Sequence, residues 1–223
     1  MPSIASAPLR FRERSLDGYD TPTPTTKAAL AAARRFAEGK HRYLVLTGPT
    51  GVGKTHLAAG AAAARYSHDL AAFHGSDEHA AYLAAVEAAP PWERIRLPRS
   101  TPRAPEWQNV VDLIVGLRED FGRDDKLFDF RPGELRTHPG VVVLDDLGRE
   151  KVSDWTGETV YGLVNHRYEA MLPTIVTTNL SGAELAASPY WPAISRLAED
   201  GALVKITAPD HRLRVTNDRE GAA

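Results

Sequence analysis

Gly48-Pro49-Thr50-Gly51-Val52-Gly53-Lys54-Thr55 decides the fold. The pattern G-x-x-x-x-G-K-[ST] constrains four positions, and in a chain of this length a chance match arises roughly 1% of the time. Its surroundings fit as well. Tyr43-Leu44-Val45-Leu46-Thr47, directly upstream, is a short apolar run that predicts a buried strand, and the alanine-rich stretch downstream, residues 54–65, predicts a helix. A strand that feeds a glycine loop opening a helix aims successive backbone N–H groups at phosphate, aided by the helix N-terminus. Gly48, Gly51 and Gly53 let the backbone curl, with Pro49, Thr50 and Val52 between them. Lys54 is placed to neutralise β- and γ-phosphates, and the Thr55 hydroxyl to ligate magnesium. His56, next on the helix, closes this stretch of candidate nucleotide-binding residues and reads as packing. The loop predicts a site for ATP or ADP with magnesium.

Working outward, Val141-Val142-Val143-Leu144 is a second apolar strand, ending at Asp145-Asp146. An apolar strand ending in an acid is the usual partner of such a loop, placing Asp145 across from Thr55 to hold magnesium directly or through water. Asp146 is the candidate to polarise the attacking water. One methylene shorter than a glutamate, it predicts slow hydrolysis. A third strand, residues 174–178, leads to Asn179, an amide near the crevice where open α/β sheets hold their ligands; it can bond the γ-phosphate or the water.

The remaining chain alternates in the same way. Thr25 or Thr26 caps a helix ending at Ala37, with Gly39 as its stop. Leu70 to Phe73 reads as a weak strand and residues 79–89 as a helix. Residues 90–105 carry five prolines, so no regular element survives there. Trp107, Val110, Val111, Ile114, Leu117 and Phe121 recur at helical spacing and predict one amphipathic helix. A further helix spans residues 154–171, with Val160, Leu163, Val164, Tyr168 and Met171 on one stripe, and a fourth strand covers 203–206. Strands alternating with helices predict an α/β fold of the P-loop NTPase kind, a three-layer sandwich around a central parallel sheet with no separate lid domain. The expected divisions are an extended basic arm over 1–20 (Arg10, Arg12 and Arg14 around Phe11), an ATPase domain over 21–215 and a flexible tail over 216–223.

Composition excludes other classes. No apolar run approaches the ~18 residues of a membrane span, and the N-terminus lacks a signal peptide's apolar core. Cysteine is absent, which removes disulfide and thiolate chemistry and fits a cytoplasmic setting. The eight histidines show no metal-ligand spacing. Twenty-seven basic residues against 29 acidic give a net charge of −2, so DNA contact requires a local patch. Arg94, Arg96, Arg99 and Arg103 with Trp92 and Trp107 form one, suited to single strands by charge and stacking; the competing reading is a solvated loop anchored by its tryptophans.

The order of these segments resembles the AAA+ ATPases of the DnaC-like helicase-loader type and the related IstB-like transposition helpers. The resemblance runs from about Leu16 to Arg212 and includes Tyr19-Asp20, Gly53 to Ala58, Leu144-Asp145-Asp146-Leu147-Gly148, Asn165-His166-Arg167-Tyr168, Pro173 to Leu180 and Ser195-Arg196-Leu197. It implies that Arg196 acts in trans on a neighbouring subunit's ATP, and that Arg212 in Asp210-His211-Arg212 senses nucleotide. It further implies an ATP-bound homo-oligomer and, as client, a replicative helicase or else a transposase. Two departures stand out: the loaders' separate N-terminal helicase-binding domain has no room before residue 16, and the loop at 90–105 is long. A small-molecule P-loop kinase is the competing class, with the arginines of 90–105 as its lid. Asp145-Asp146 followed by Asn179 suits water attack better.

Overall fold

The computed structural model describes residues 5–90, 101–119 and 130–211. Five strands form its sheet: β1 (Tyr43–Thr47), β2 (Glu106–Asn109), β3 (Val142–Leu147), β4 (Thr174–Thr178) and β5 (Gly201–Lys205). Their order is β2-β3-β4-β1-β5, and every neighbouring pair is parallel. Among the described residues the α-helices are α1 (Pro24–Ala37), α2 (Lys54–His74), α3 (Asp77–Ala88), α4 (Val110–Glu119), α5 (Phe130–Thr137), α6 (Asp154–Glu169), α7 (Gly182–Ala186) and α8 (Trp191–Glu199).

The pleat divides the core in two. Leu44, Leu46, Val143 and Ile175 pack with Ala29, Ala33 and Phe36 of α1 and Leu57, Ala58 and Ala61 of α2. Their neighbours Tyr43, Val45, Val142, Leu144 and Val176 face the other way, against Val110 and Ile114 of α4, Val160 and Val164 of α6 and Ile194 of α8. Strands buried at every position, as β1 and β4 are, need such cover on both faces. The result is the expected three-layer α/β sandwich with a parallel sheet.

Several local expectations are corrected. Thr23, not Thr25 or Thr26, caps α1: its hydroxyl accepts from Thr26 N, and Pro24 takes the first helical position, where a missing N–H costs nothing. Residues 70–73 belong to the last turn of α2, which ends at His74 with Gly75 as its C-cap and has Arg65 bonded to Asp69 one turn on. The helix expected from Trp107 begins at Val110. Residues 106–109 pair with β3, and Asn109 Oδ1 accepts from the N–H groups of Val111 and Asp112. Trp107 packs in the α2 half of the core, whereas Val110, Ile114 and Leu117 share the other, so the helical stripe holds from Val110 onward and only Trp107 leaves it. Phe121 lies outside the described residues. The helix after Asp154 stops at Glu169, and Met171 is 60% exposed with φ 53° rather than on the buried stripe.

Residues 5–20, expected as an extended arm, are folded onto the α1–α2 side. They include a 3-10 turn, Leu9–Phe11, and bury Ala7, Leu16 and Tyr19. At the far end of the sheet, Arg167 of α6 is fully buried. Its guanidinium donates to the carbonyls of Leu135, His138, Gly140 and Pro173 and to the Thr174 hydroxyl, at 2.6–3.1 Å. Burial pulls its pKa down to about 9. Among the described residues, no helix is long and apolar enough to cross a membrane.

Candidate nucleotide-binding site

The glycine loop leaves β1 and enters α2 through Gly48, Gly51 and Gly53, all at positive φ. Gly53 occupies the N-cap of α2 at φ 91°, and a Cβ there would lie 2.6 Å from the Tyr19 ring. Gly51, at φ 84°, is covered by the Asp210 carboxyl group, 2.1 Å from where its Cβ would be. The left-handed φ strains any other residue at both positions, and at Gly53 the Tyr19 ring also takes the space. α2 has no side-chain cap, which leaves its first-turn N–H donors for an anion. The cradle therefore fits a polyphosphate.

Lys54 is 6% exposed, and its ammonium donates to Gly48 O (2.7 Å), Pro49 O (2.8 Å) and Asn179 Oδ1 (2.7 Å). Asn179 turns its amide nitrogen to Asp146 Oδ1 at 3.2 Å. This orientation is forced, since the ammonium only donates and the carboxylate only accepts. Lys54, Asn179 and Asp146 thus form one hydrogen-bonded chain reaching from the glycine loop to β3.

The acids owe their placement to a bulge. Leu144 pairs with Val176 but Leu147 with Thr178, so β3 spends one more residue than β4. Asp145 follows Val143 onto the α2 side, while Asp146 takes the left-handed conformation, φ 61°. Thr177 fills the interrupted ladder: its hydroxyl accepts from Asp146 N (3.0 Å) and donates to Asp145 Oδ1 (2.6 Å). The same Asp145 oxygen lies 3.4 Å from Thr55 Oγ1. Burial raises the pKa of Asp145; its bond from Thr177 opposes this, the charge of Asp146 adds to it, and Thr55 and Lys54 oppose it. Arg149 pairs with Asp146 Oδ2 at 3.2 Å.

Thr55 and Asp145 are hard oxygen donors side by side, the set that magnesium uses when phosphates and water complete its shell. Among the described residues, no group of three or more histidines or acids could hold a metal alone. Such a closed cage is not what nucleotide-borne magnesium needs.

Sequence reasoning gave Thr177 no role. Its strand position was the available signal: two residues after Ile175, it shares the α2 face with Asp145. Other residues lie apart from the cluster. The imidazole of His56 bonds Ser15 O (2.9 Å) and meets Tyr19 edge-on, so it fastens residues 5–20 rather than facing the loop's phosphate cradle. Arg196, on α8, stacks over the Tyr161 ring at 5.3 Å. Arg212 falls outside the described residues, as do Trp92, Arg94, Arg96 and Arg99 of the expected basic patch. Trp107 is 7% exposed and packs in the core, an anchor rather than a stacking platform, while Arg103 is exposed.

Neither a family model nor a curated protein matches the sequence. Solved structures do. The chain is similar to the DnaC helicase loader, with 27% identity and a TM-score of 0.62 over 90% of this chain and 100% of that one. It is also similar to DnaI (20% identity, TM-score 0.63, 92% and 93% covered). The replication initiator DnaA bound to AMPPCP and single-stranded DNA shares the fold (15%, 0.60), matching 94% of this chain and 55% of that one. The DnaC-like AAA+ resemblance drawn from the sequence is borne out, and the fold is that of the AAA+ P-loop NTPases.

Proposed function

We propose that this chain is an ATP-hydrolysing switch of DNA replication, a DnaC-like loader that assembles with ATP and delivers a replicative helicase to single-stranded DNA. The observation that carries it is the chain Lys54–Asn179–Asp146. One end supplies the charge that meets β- and γ-phosphates, and the other is the carboxylate able to polarise water. The amide between them links phosphate occupancy to the acid. Magnesium, held by Thr55 and Asp145, would neutralise the phosphate oxygens. The similarity to the helicase loader and to a DnaA that binds AMPPCP and single-stranded DNA supports the replication role.

In this reading Arg196 serves a neighbouring subunit. A guanidinium supplied in trans stabilises charge on the γ-phosphate and is worth ~10³-fold or more in other nucleotidases. The monomer should hydrolyse ATP poorly, with specific activity rising steeply with protein concentration. Arg196→Ala and Asp146→Asn should each be inactive, and their mixture should regain activity where an intact Asp146 site meets an intact Arg196. A mixture that stays inactive while both variants assemble rules out the finger. The loader role is tested with the organism's purified replicative helicase on a closed single-stranded circle. ATP-dependent loading is expected; an active ATPase that loads no helicase would overturn that role.

A further inference from the structure

The loop after β3 is held by a buried polar group that the proposed hydrolysis does not use. Glu150 is 7% exposed, and both its carboxylate oxygens accept from Gly148 N, at 3.2 and 3.0 Å. The hydroxyl of Tyr190, fully buried, donates to Glu150 Oε1 in a close contact and lies 3.3 Å from Thr156 Oγ1. Burial, and then the bond to Glu150, hold the phenol pKa far above its usual range, so it stays a donor. Among the described residues, no lysine or arginine pairs with Glu150. Packing alone does not call for a buried acid–phenol pair, since an apolar pair of the same shape can serve as well.

Position gives this group its meaning. Gly148 is two residues beyond Asp146, and a Cβ on it would meet Leu180, next to Asn179, at 2.8 Å. Tyr190 is the N-cap of α8, the helix that carries Arg196. Beside it, Pro189 sits on Gly157 of α6, 2.5 Å from where a Cβ would be. One carboxylate thus joins the loop leaving the water-polarising acid to the first turn of the finger helix. We infer that Glu150 and Tyr190 form a positioning clasp coupling the Asp146 loop to the Arg196 helix, so that the state of a subunit's own nucleotide site sets the finger it presents to its neighbour. This rests on the reading that Arg196 acts in trans.

The test is directional. Asp146→Asn subunits donate fingers to Arg196→Ala subunits, and the mixture's turnover is measured. Adding Tyr190→Phe to the donor removes one hydroxyl and keeps the ring. Activation should fall roughly tenfold. The same change in the Arg196→Ala acceptor, where it touches only the acceptor's own Asp146 loop, should lower activation much less, and both should bind ATP and assemble normally. A general packing defect would not follow the donor in this way. If the Tyr190→Phe donor activates as well as its parent, or if the defect appears equally in the acceptor, the clasp is wrong. If Asp146→Asn alone activates nothing, the trans reading falls and takes the clasp with it. Should Tyr190→Phe melt early, Glu150→Gln, of the same size, replaces it with the same outcomes.

Discussion

The Thr177 hydroxyl donates to Asp145 Oδ1 at 2.6 Å while accepting the N–H of Asp146 at 3.0 Å, so one side chain aims two neighbouring acids. Without it, Asp146 N would be a part-buried donor with no ladder partner, and Asp145 would keep only the longer contact to Thr55. β-bulges of this kind re-aim side chains at functional sites.

Thr177→Val keeps the volume and removes both bonds. It should cost about 1–3 kcal/mol of stability, for the orphaned N–H, and raise the magnesium concentration needed for turnover. Thr177→Ser should recover both. A valine variant with parental magnesium dependence would show that Thr177 does not orient Asp145.

Asp145 sits where the fold disfavours its charge. Burial lifts its pKa above the ordinary value, so the ionised form present at neutral pH is disfavoured by the fold and subtracts from stability. Asp145→Asn should therefore melt no lower than the parent in metal-free buffer, while magnesium no longer tightens nucleotide binding. Calorimetry and binding with and without magnesium read the two effects; a clear loss of stability would contradict the assignment.

His56 makes the attachment of residues 5–20 sensitive to acid. Burial lowers its pKa below 6.5; its bond to Ser15 O opposes this, and the charges of Arg14 and His211 add to the lowering. Tyr19, pushed up to about 12, stays neutral throughout. A depressed folded pKa means stability present above 6.5 and lost as pH falls through the folded value. Tryptic cleavage at Arg10, Arg12 and Arg14 should speed up over that window, and His56→Gln should flatten the response. Equal pH dependence in both proteins would clear His56 of the role.

Much of the site was legible because its parts are contiguous. The glycine loop, Asp145-Asp146 and Asn179 each lie at a strand end, where an apolar run marks the strand and the polar residue marks the crevice. What escaped depends on pairing between distant segments. β2 was hidden because Trp107 fits a period of 3.6 as well as of 2, and only its pairing with β3 decides. Thr177 acquired a role from a bulge that leaves no local signature. Tyr190 and Glu150 are 40 residues apart, and neither has a neighbour in sequence that announces the other.

Arg167 carries a consequence for how the chain finds its native pairing. Its acceptors come from 135–140, before β3, and from 173–174, at the start of β4. These are the two strands whose alignment brings Asp145 to Thr177 and Asp146 to Asn179. If either strand slipped by one residue, carbonyls would move away from a fixed fork of donors and strand a charge in the core, a penalty of several kcal/mol. The guanidinium thus proofreads the sheet from the end opposite the chemistry, making misregistered pairing expensive before any nucleotide arrives to test it.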